Sequence, residues 1–177
     1  MIKPREQQFT QSCLPVSLAM LCDVRMTTKQ EGQLLLNGLK KKYQVYLVGM
    51  LVEFVEMYKS KLTVYAEYKP YKKYLSQEFK SNKNIKVKNT KVTTTMITKA
   101  LKEGPILVYL DAKYLEYGYY ADHMPHFILL EGVQGRQVTI VDPWEGVRRD
   151  IQLASLTKAI KSLKSQFKYS PIIITAK

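Results

Sequence analysis

Cysteine and histidine are both scarce in this chain of 177 residues, which contains two of each. If Cys13 and Cys22 lie on one helix, they are about 13 Å apart along its axis. A disulfide needs Cα atoms within about 7 Å of each other, so these two cysteines cannot pair with one another. A disulfide framework within the chain is therefore excluded, and free thiols suit a reducing compartment.

Long hydrophobic runs and acidic residues are scarce as well. No apolar run approaches the roughly 20 residues that cross a bilayer, and residues 1–8 contain no apolar signal core. We therefore expect a cytoplasmic protein without a transmembrane segment. The chain has 28 basic and 15 acidic residues and a formal net charge of +13. Such a charge attracts anionic partners such as nucleic acid, anionic lipid or acidic peptide, although a lysine-rich solvated surface would explain it equally well.

The apolar content, 46% of all residues, is typical of a globular protein, and the length suits one domain with a sizeable core. No internal repeat or linker interrupts the chain, so we expect a single domain over residues 1–177. Hydrophobic periodicity and turn residues predict helices at 13–22, 34–39, 48–58, 94–102 and 153–163, a polar loop at 23–31, and strands at 62–68, 105–110, 126–131, 137–141 and 172–175. This order predicts an α+β fold with a mainly antiparallel sheet.

Two further segments combine aromatic and polar residues. Residues 69–91 mix lysines with tyrosine and phenylalanine, a composition that can neutralise phosphates and stack on bases. They match no known nucleic-acid motif, so a solvated face or a loose excursion from the fold is the favoured interpretation. The tyrosine-rich connection at 111–125 is long enough to form the rim of an active site.

The stretch QQFTQSCLPVSLAMLC, residues 7–22, contains a candidate nucleophile. The apolar residues after Cys13 predict a buried helix, with Ser12 as its N-cap and Pro15 tolerated in the first turn. A thiol at the start of a helix feels the positive end of the helix dipole, which favours the thiolate. Cys13 is therefore a candidate nucleophile, although a small buried cysteine would fit the same pattern.

Two polar residues bracket a predicted hairpin, since His126 opens one strand and Asp142 closes the next. A hairpin that turns at 134–135 places the two residues close together, but strict pleating puts them on opposite faces. A one-residue bulge, or the break at Pro143, would bring them together. An Asp that accepts a hydrogen bond from the imidazole fixes its tautomer and stabilises the imidazolium. With Cys13 they would form a Cys–His–Asp relay, although a core histidine and a turn-forming aspartate explain each residue singly.

These residues resemble a known family. QQFTQSCLPVSLAM is similar to the N-terminal motif of papain-like cysteine peptidases of the bacteriocin-processing type, which cleave leader peptides after a double glycine. HFILLEGVQGRQVTIVDPWEG resembles the histidine strand and Asp-Pro turn of the same family. The resemblance implies a papain-like fold in which the nucleophile helix packs on the sheet. It implies Cys13 as nucleophile, His126 as general base and acid, and Asp142 as the orienting residue.

The same resemblance implies an oxyanion hole. The family's donor is a glutamine six positions before the cysteine, which is Gln7 here, acting together with the backbone N–H of Cys13. Gln8 and Gln11 lie nearby, so the assignment could shift to one of them. Leu14 stands where the family usually has glycine, and we expect it to narrow the mouth of the site. The best-known members precede a membrane transporter that this sequence lacks, so the double-glycine substrate is not carried over.

The predicted function is that of a cysteine hydrolase that cleaves a peptide or other amide bond through a thioester, without a cofactor. An acyltransferase would use the same chemistry with an amine in place of water. A third possibility is an inactive papain-like module that binds a peptide or nucleic acid through its basic face. A metal site formed by Cys13, His123, His126 and Asp142 is disfavoured, because the two histidines are three residues apart on a strand or loop and lack the spacing of common zinc helices.

Overall fold

In the computed structural model, which describes residues 2–115, 117 and 120–176, three helices precede the first strand and three consecutive strands precede the last helix. The helices are α1 (Cys13–Leu21), α2 (Thr28–Gly38), α3 (Tyr46–Tyr58), α4 (Lys69–Glu78), α5 (Thr94–Leu101) and α6 (Leu153–Phe167), with a 3-10 turn at Ala112–Tyr114. The strands are β1 (Leu62–Ala66), β2 (Ile85–Asn89), β3 (Ile106–Asp111), β4 (Pro125–Gln134), β5 (Gln137–Asp142), β6 (Val147–Gln152) and β7 (Ile172–Ala176).

These strands form one sheet in the order β2-β1-β7-β3-β4-β5-β6. Strands β1 and β2 pair in parallel and are connected by α4, whereas the other pairings are antiparallel. The last strand in the chain, β7, lies between β1 and β3 and so joins the two halves of the sheet. The predicted α+β class with a mainly antiparallel sheet is confirmed.

The sheet separates two apolar cores. The first contains side chains of α1 to α4, and the second contains side chains of α5 and α6. Strand β7 serves both, because successive side chains point to opposite faces: Ile172 and Ile174 enter the first core and Ile173 the second. Helix α1 is buried from Leu14 to Leu21, which explains why its sequence is an apolar run rather than an amphipathic stripe.

The prediction of a loose excursion at 69–91 is wrong, because this segment forms α4 and β2. Pro70 lies in the first turn of α4, where the missing N–H costs nothing. Leu75 and Phe79 are buried in the first core. Few apolar residues of this segment reach the core and many lysines surround them, so the helical period was hidden in the sequence.

Other boundaries also differ from the sequence prediction. Helix α2 begins at Thr28, inside the predicted loop, because Thr27 and Gln30 form a capping box. Strand β6 was not predicted, since VRRDIQ is polar and lies at the edge of the sheet, where charged residues are common. No helix in the described part of the chain is both long enough and apolar enough to cross a membrane.

Candidate active site

Cys13 is the first residue of α1, and the loop before it is held by a buried carboxylate. Ser12 precedes the helix but makes no capping bond through its side chain. Its hydroxyl bonds instead to Glu31 of α2 and, at 2.7 Å, to the carbonyl of Phe9. Glu31 also accepts the backbone N–H of Gln8 at 2.8 Å. The capping bond expected of Ser12 is therefore absent, and Glu31 anchors the approach to the helix.

The environment of Cys13 favours the thiolate. Burial raises the pKa of this thiol, but the hydrogen bond to His126, the charge of His126 and the backbone N–H groups of Phe127 and Leu14 outweigh burial and lower the pKa below its ordinary value. Burial raises the pKa of Cys22, the other free cysteine. The two thiols thus differ in the direction predicted for a nucleophile and a structural cysteine.

His126 lies between Cys13 and Asp142. Its ring is 2% exposed, and Nε2 lies 2.9 Å from Oδ1 of Asp142, which leaves Nδ1 for the thiol. Burial lowers the pKa of His126, but the hydrogen bonds and charges of Asp142 and Cys13 prevail and raise it to about 9. A lowered thiol pKa beside a raised imidazole pKa favours a thiolate–imidazolium pair over the neutral thiol and imidazole.

A β-bulge places His126 and Asp142 on the same face of the sheet. The hairpin pairs Gln134 with Gln137, and its register shifts by one residue between Leu130 and Gly132. Beyond the shift, Leu130 pairs with Ile140, so the side chain of Asp142 points to the face that carries His126. Of the two alternatives that would bring them together, the one-residue bulge is present, although the turn lies one residue later than expected.

Asp142 accepts four hydrogen bonds and is 1% exposed. Its Oδ1 accepts from His126 and from the backbone N–H of Trp144 at 2.8 Å. Its Oδ2 accepts from the hydroxyls of Tyr120, at 2.7 Å, and Tyr117. Burial raises the pKa of Asp142, but these donors and the charge of His126 lower it below the ordinary value, so the carboxylate stays ionised.

Tyr117 and Tyr120 are the site residues that the sequence did not identify individually. Both come from the connection that was predicted as a rim, and burial together with Asp142 raises their pKa values, so they remain protonated donors. The guanidinium of Arg149 lies 4.5 Å from the centre of the Tyr117 ring and pairs with Glu145 at 2.5 Å. The tyrosine-rich composition between two strands was the available signal.

His123 belongs to a different cluster. Its Nδ1 lies 2.6 Å from Oδ2 of Asp111, and Ser162 donates to the same oxygen at 2.5 Å. The other oxygen of Asp111 accepts the backbone N–H of Met124 at 3.0 Å. No group of three or more potential metal ligands occurs among the described residues, so they do not form the four-residue metal site considered above.

Gln7 lies against the Asp-Pro turn. Its backbone N–H donates to the carbonyl of Pro143 at 2.7 Å, and its side chain is 8% exposed, whereas Gln8 and Gln11 are exposed. Its Nε2 donates to the carbonyls of Phe9, at 2.9 Å, and Thr10, at 3.1 Å. Within the described chain, Oε1 is buried without a hydrogen-bond partner.

Leu14, the residue expected to narrow the mouth, is 0% exposed and belongs to the first core. Its side chain therefore fills the interior rather than lining an opening.

The fold has a counterpart among solved structures. A crystal structure of a protein described as a "putative C39-like peptidase" from Bacillus anthracis matches 99% of this chain and 94% of that chain, with a TM-score of 0.56 and 15% sequence identity. The chain has a C39-like peptidase fold. No family model and no curated protein matches the sequence. At this level of identity the likeness concerns the α+β, papain-like architecture alone.

Proposed function

We propose that the protein is a cysteine hydrolase that cleaves a peptide or other amide bond through an acyl-enzyme thioester. One observation carries the proposal: the half-buried thiol of Cys13 is hydrogen-bonded to His126, whose Nε2 is held by Asp142. Among thiol sites, such an activated pair is typical of nucleophilic catalysis rather than of structural burial. The C39-like fold is compatible with this activity.

The proposed reaction has two halves. In the first, the thiolate of Cys13 attacks the carbonyl carbon, and the protonated His126 gives its Nδ1 proton to the leaving amine as the C–N bond breaks. In the second, His126 takes a proton from a water molecule that attacks the thioester. The carboxylic acid product then leaves and Cys13 becomes a thiolate beside a protonated His126 again. Asp142 stays ionised throughout and orients the ring.

The negative charge of each tetrahedral intermediate needs donors. We assign the backbone N–H of Cys13 and the side-chain amide of Gln7 to this role. Both amide hydrogens of Gln7 are engaged by the carbonyls of Phe9 and Thr10, so one of these bonds must be exchanged for the oxyanion when substrate binds.

The finer assignments belong to the same proposal. We place the protein, as one domain over residues 1–177, in the cytoplasm, where its two free thiols stay reduced. The motifs around Cys13 and His126 support a relationship to bacteriocin-processing peptidases. The substrate of this protein is a peptide or other amide, and the net charge of +13 favours an anionic partner.

Alkylation by iodoacetamide between pH 5 and pH 10 tests the proposal. We expect Cys13 to react faster than glutathione at pH 5.5, because a larger fraction of Cys13 is thiolate at that pH. The rate of alkylation should change again near pH 9, where His126 loses its proton. His126→Ala should remove the advantage at acidic pH, and Cys22→Ser is the matched control that should keep it. Labelling that survives Cys13→Ser but disappears in Cys22→Ser would contradict the assignment, and equally slow labelling of both thiols would favour a binding module.

A further inference from the structure

A cavity of about 450 Å³ lies beside the candidate site, although Cys13 itself does not line it. Three of its lining residues, Tyr46, Tyr109 and Phe127, pack with Cys13 in or against the first core, and the backbone N–H of Phe127 is hydrogen-bonded to the thiol. The volume lies within the range of about 300 to 1,000 Å³ that is usual for ligand pockets. A substrate whose carbonyl lies at Cys13 therefore has this cavity within reach.

The walls of the cavity are mainly aromatic and come from separate parts of the chain. Tyr46 begins α3, Tyr68 and Tyr71 lie at the start of α4, and Tyr109 and Phe127 face each other across β3 and β4. The Tyr109 and Phe127 rings stack with centres 4.4 Å apart. Tyr46 also donates a hydrogen bond to the carbonyl of Gln11, two residues before Cys13.

This construction favours a planar apolar side chain. The stacked rings present a preformed surface, on which an incoming aromatic ring gains offset-stacked or edge-to-face contact without ordering the walls first. A substrate with only glycine next to the cleaved bond would leave a cavity of this size empty. The cavity thus argues for a large side chain on the substrate.

The rim of the cavity has one sign of charge. Among its lining residues in the described part of the chain, Lys168 is the only charged one. Lys168 is exposed and follows α6 in a left-handed conformation, with φ of 57°. Lys69 and Lys72 lie on α4 next to the lining tyrosines Tyr68 and Tyr71, and the carboxylate of Glu67, which precedes Tyr68, is paired with Lys164 at 2.7 Å. A carboxylate near the bound ring would therefore be attracted to this rim.

We propose that the cavity binds an aromatic side chain of the substrate peptide, with an acidic group of the same peptide at Lys168. This inference rests on the proposed function, since it names the substrate class of the same site. A fatty acyl chain is the competing occupant of an apolar cavity beside a thiol.

Capped tripeptide fluoromethyl ketones, which alkylate a reactive thiol, provide the test. Phe, Leu or Ala is moved through the three positions on a glycine background, with either an acetyl or a succinyl cap. At one position we expect Phe to accelerate alkylation of Cys13 at least about tenfold over Ala, the scale of discrimination by one well-filled pocket. The anionic succinyl cap should add about threefold at low salt and little at high salt.

Matched variants assign these preferences to the cavity. Tyr71→Ala should reduce the Phe-to-Ala ratio to within about threefold of unity, whereas Tyr65→Ala, on the opposite face of the sheet, should retain it. Lys168→Gln should abolish the succinyl effect. Lys59→Gln is its control, because Lys59 also ends a helix in the left-handed conformation but does not line the cavity.

The outcomes separate this inference from the proposed function. Rapid reaction of Cys13 with iodoacetamide, but no preference for Phe at any position, would overturn the pocket assignment alone. A second measurement does not depend on the reactivity of Cys13. In it, the Cys13→Ser variant is titrated by NMR with acetyl-Phe-amide and, separately, with decanoate. Shifts of cavity resonances by acetyl-Phe-amide support the assignment, and tighter binding of decanoate overturns it.

Discussion

At the scale of single residues, Asp142 is the most completely bonded group of the candidate site. Each of its two oxygens accepts two hydrogen bonds, and the carboxylate is nearly inaccessible to solvent. A buried charge is costly unless donors surround it, and here two tyrosine hydroxyls provide half of them. Tyr117 and Tyr120 are therefore positioning residues, which act on His126 through the carboxylate.

Removing either hydroxyl should weaken the protein. Tyr117→Phe or Tyr120→Phe leaves Oδ2 with a single donor, and we expect each to lower the free energy of unfolding by about 1.5 to 3 kcal/mol, the usual contribution of a hydrogen bond to a charged group. Urea denaturation at pH 7 measures the loss. Tyr65→Phe is the control, since it removes a tyrosine hydroxyl elsewhere. If all three variants are equally stable, the hydroxyls do not support Asp142.

The same variants can also be compared by the rate at which Cys13 is alkylated, which a general loss of stability would not change. A less firmly held carboxylate orients the imidazole less well, so the double variant Tyr117→Phe/Tyr120→Phe should lose part of the advantage of Cys13 over glutathione at pH 5.5. Tyr65→Phe should not.

At the scale of elements, the turn after β5 brings the N-terminal segment to the site. Gly146 has φ of 63°, and a Cβ atom there would lie 2.7 Å from the backbone nitrogen of Glu6. The next residue, Gln7, bonds through its N–H to Pro143 in the same turn. Glycine is required at 146 for two reasons, its conformation and the close approach of another backbone.

Substituting this glycine separates the two reasons. Gly146→Ala must adopt a left-handed conformation, which costs roughly 1 to 2 kcal/mol, and must also displace the segment of Glu6. Gly135→Ala bears the same conformational cost, with φ of 59°, but its Cβ would meet nothing within 4 Å. We expect Gly146→Ala to be the less stable variant in thermal unfolding and to slow alkylation of Cys13 by peptide probes, because Gln7 moves with the segment. Equal behaviour of the two variants would show that the contact with Glu6 is unimportant.

At the scale of the whole molecule, one sheet serves two cores, and β7 is one of the strands that contribute side chains to both. Ile173 belongs to the core with α5 and α6, and Ile174 to the core with α1 to α4. Because neither core has a sheet of its own, we expect the two to unfold together.

Paired truncations test this cooperativity. Ile173→Ala and Ile174→Ala should each cost about 2 to 5 kcal/mol, the range for deleting buried aliphatic groups. Both should shift one and the same transition, followed by far-ultraviolet circular dichroism for the backbone and by fluorescence of Trp144 for the candidate site. Two transitions that separate in one of the variants would mean that the cores are independent units.

Much of the fold and part of the site could be read from local pattern. The apolar run after Cys13 predicted α1, and the hairpin between His126 and Asp142 was predicted, with a bulge or the break at Pro143 as the two ways to bring them into contact. Such patterns are legible because helix and strand periods are properties of neighbouring residues. Local pattern failed at α4 and β6, where few apolar residues reach the core and the rest of the segment is polar and solvated.

Residue order alone determined the chemical types at the site: one cysteine at a helix start, one histidine at a strand start and one aspartate before a proline. Only the tertiary structure determined which other residues contact them. It separated His123 from His126, placed Tyr117 and Tyr120 on Asp142, and lined the cavity near Cys13 with aromatic rings from five segments. These contacts join residues far apart in the chain, and they depend on how the helices and the connection fold over the sheet, which no local period records.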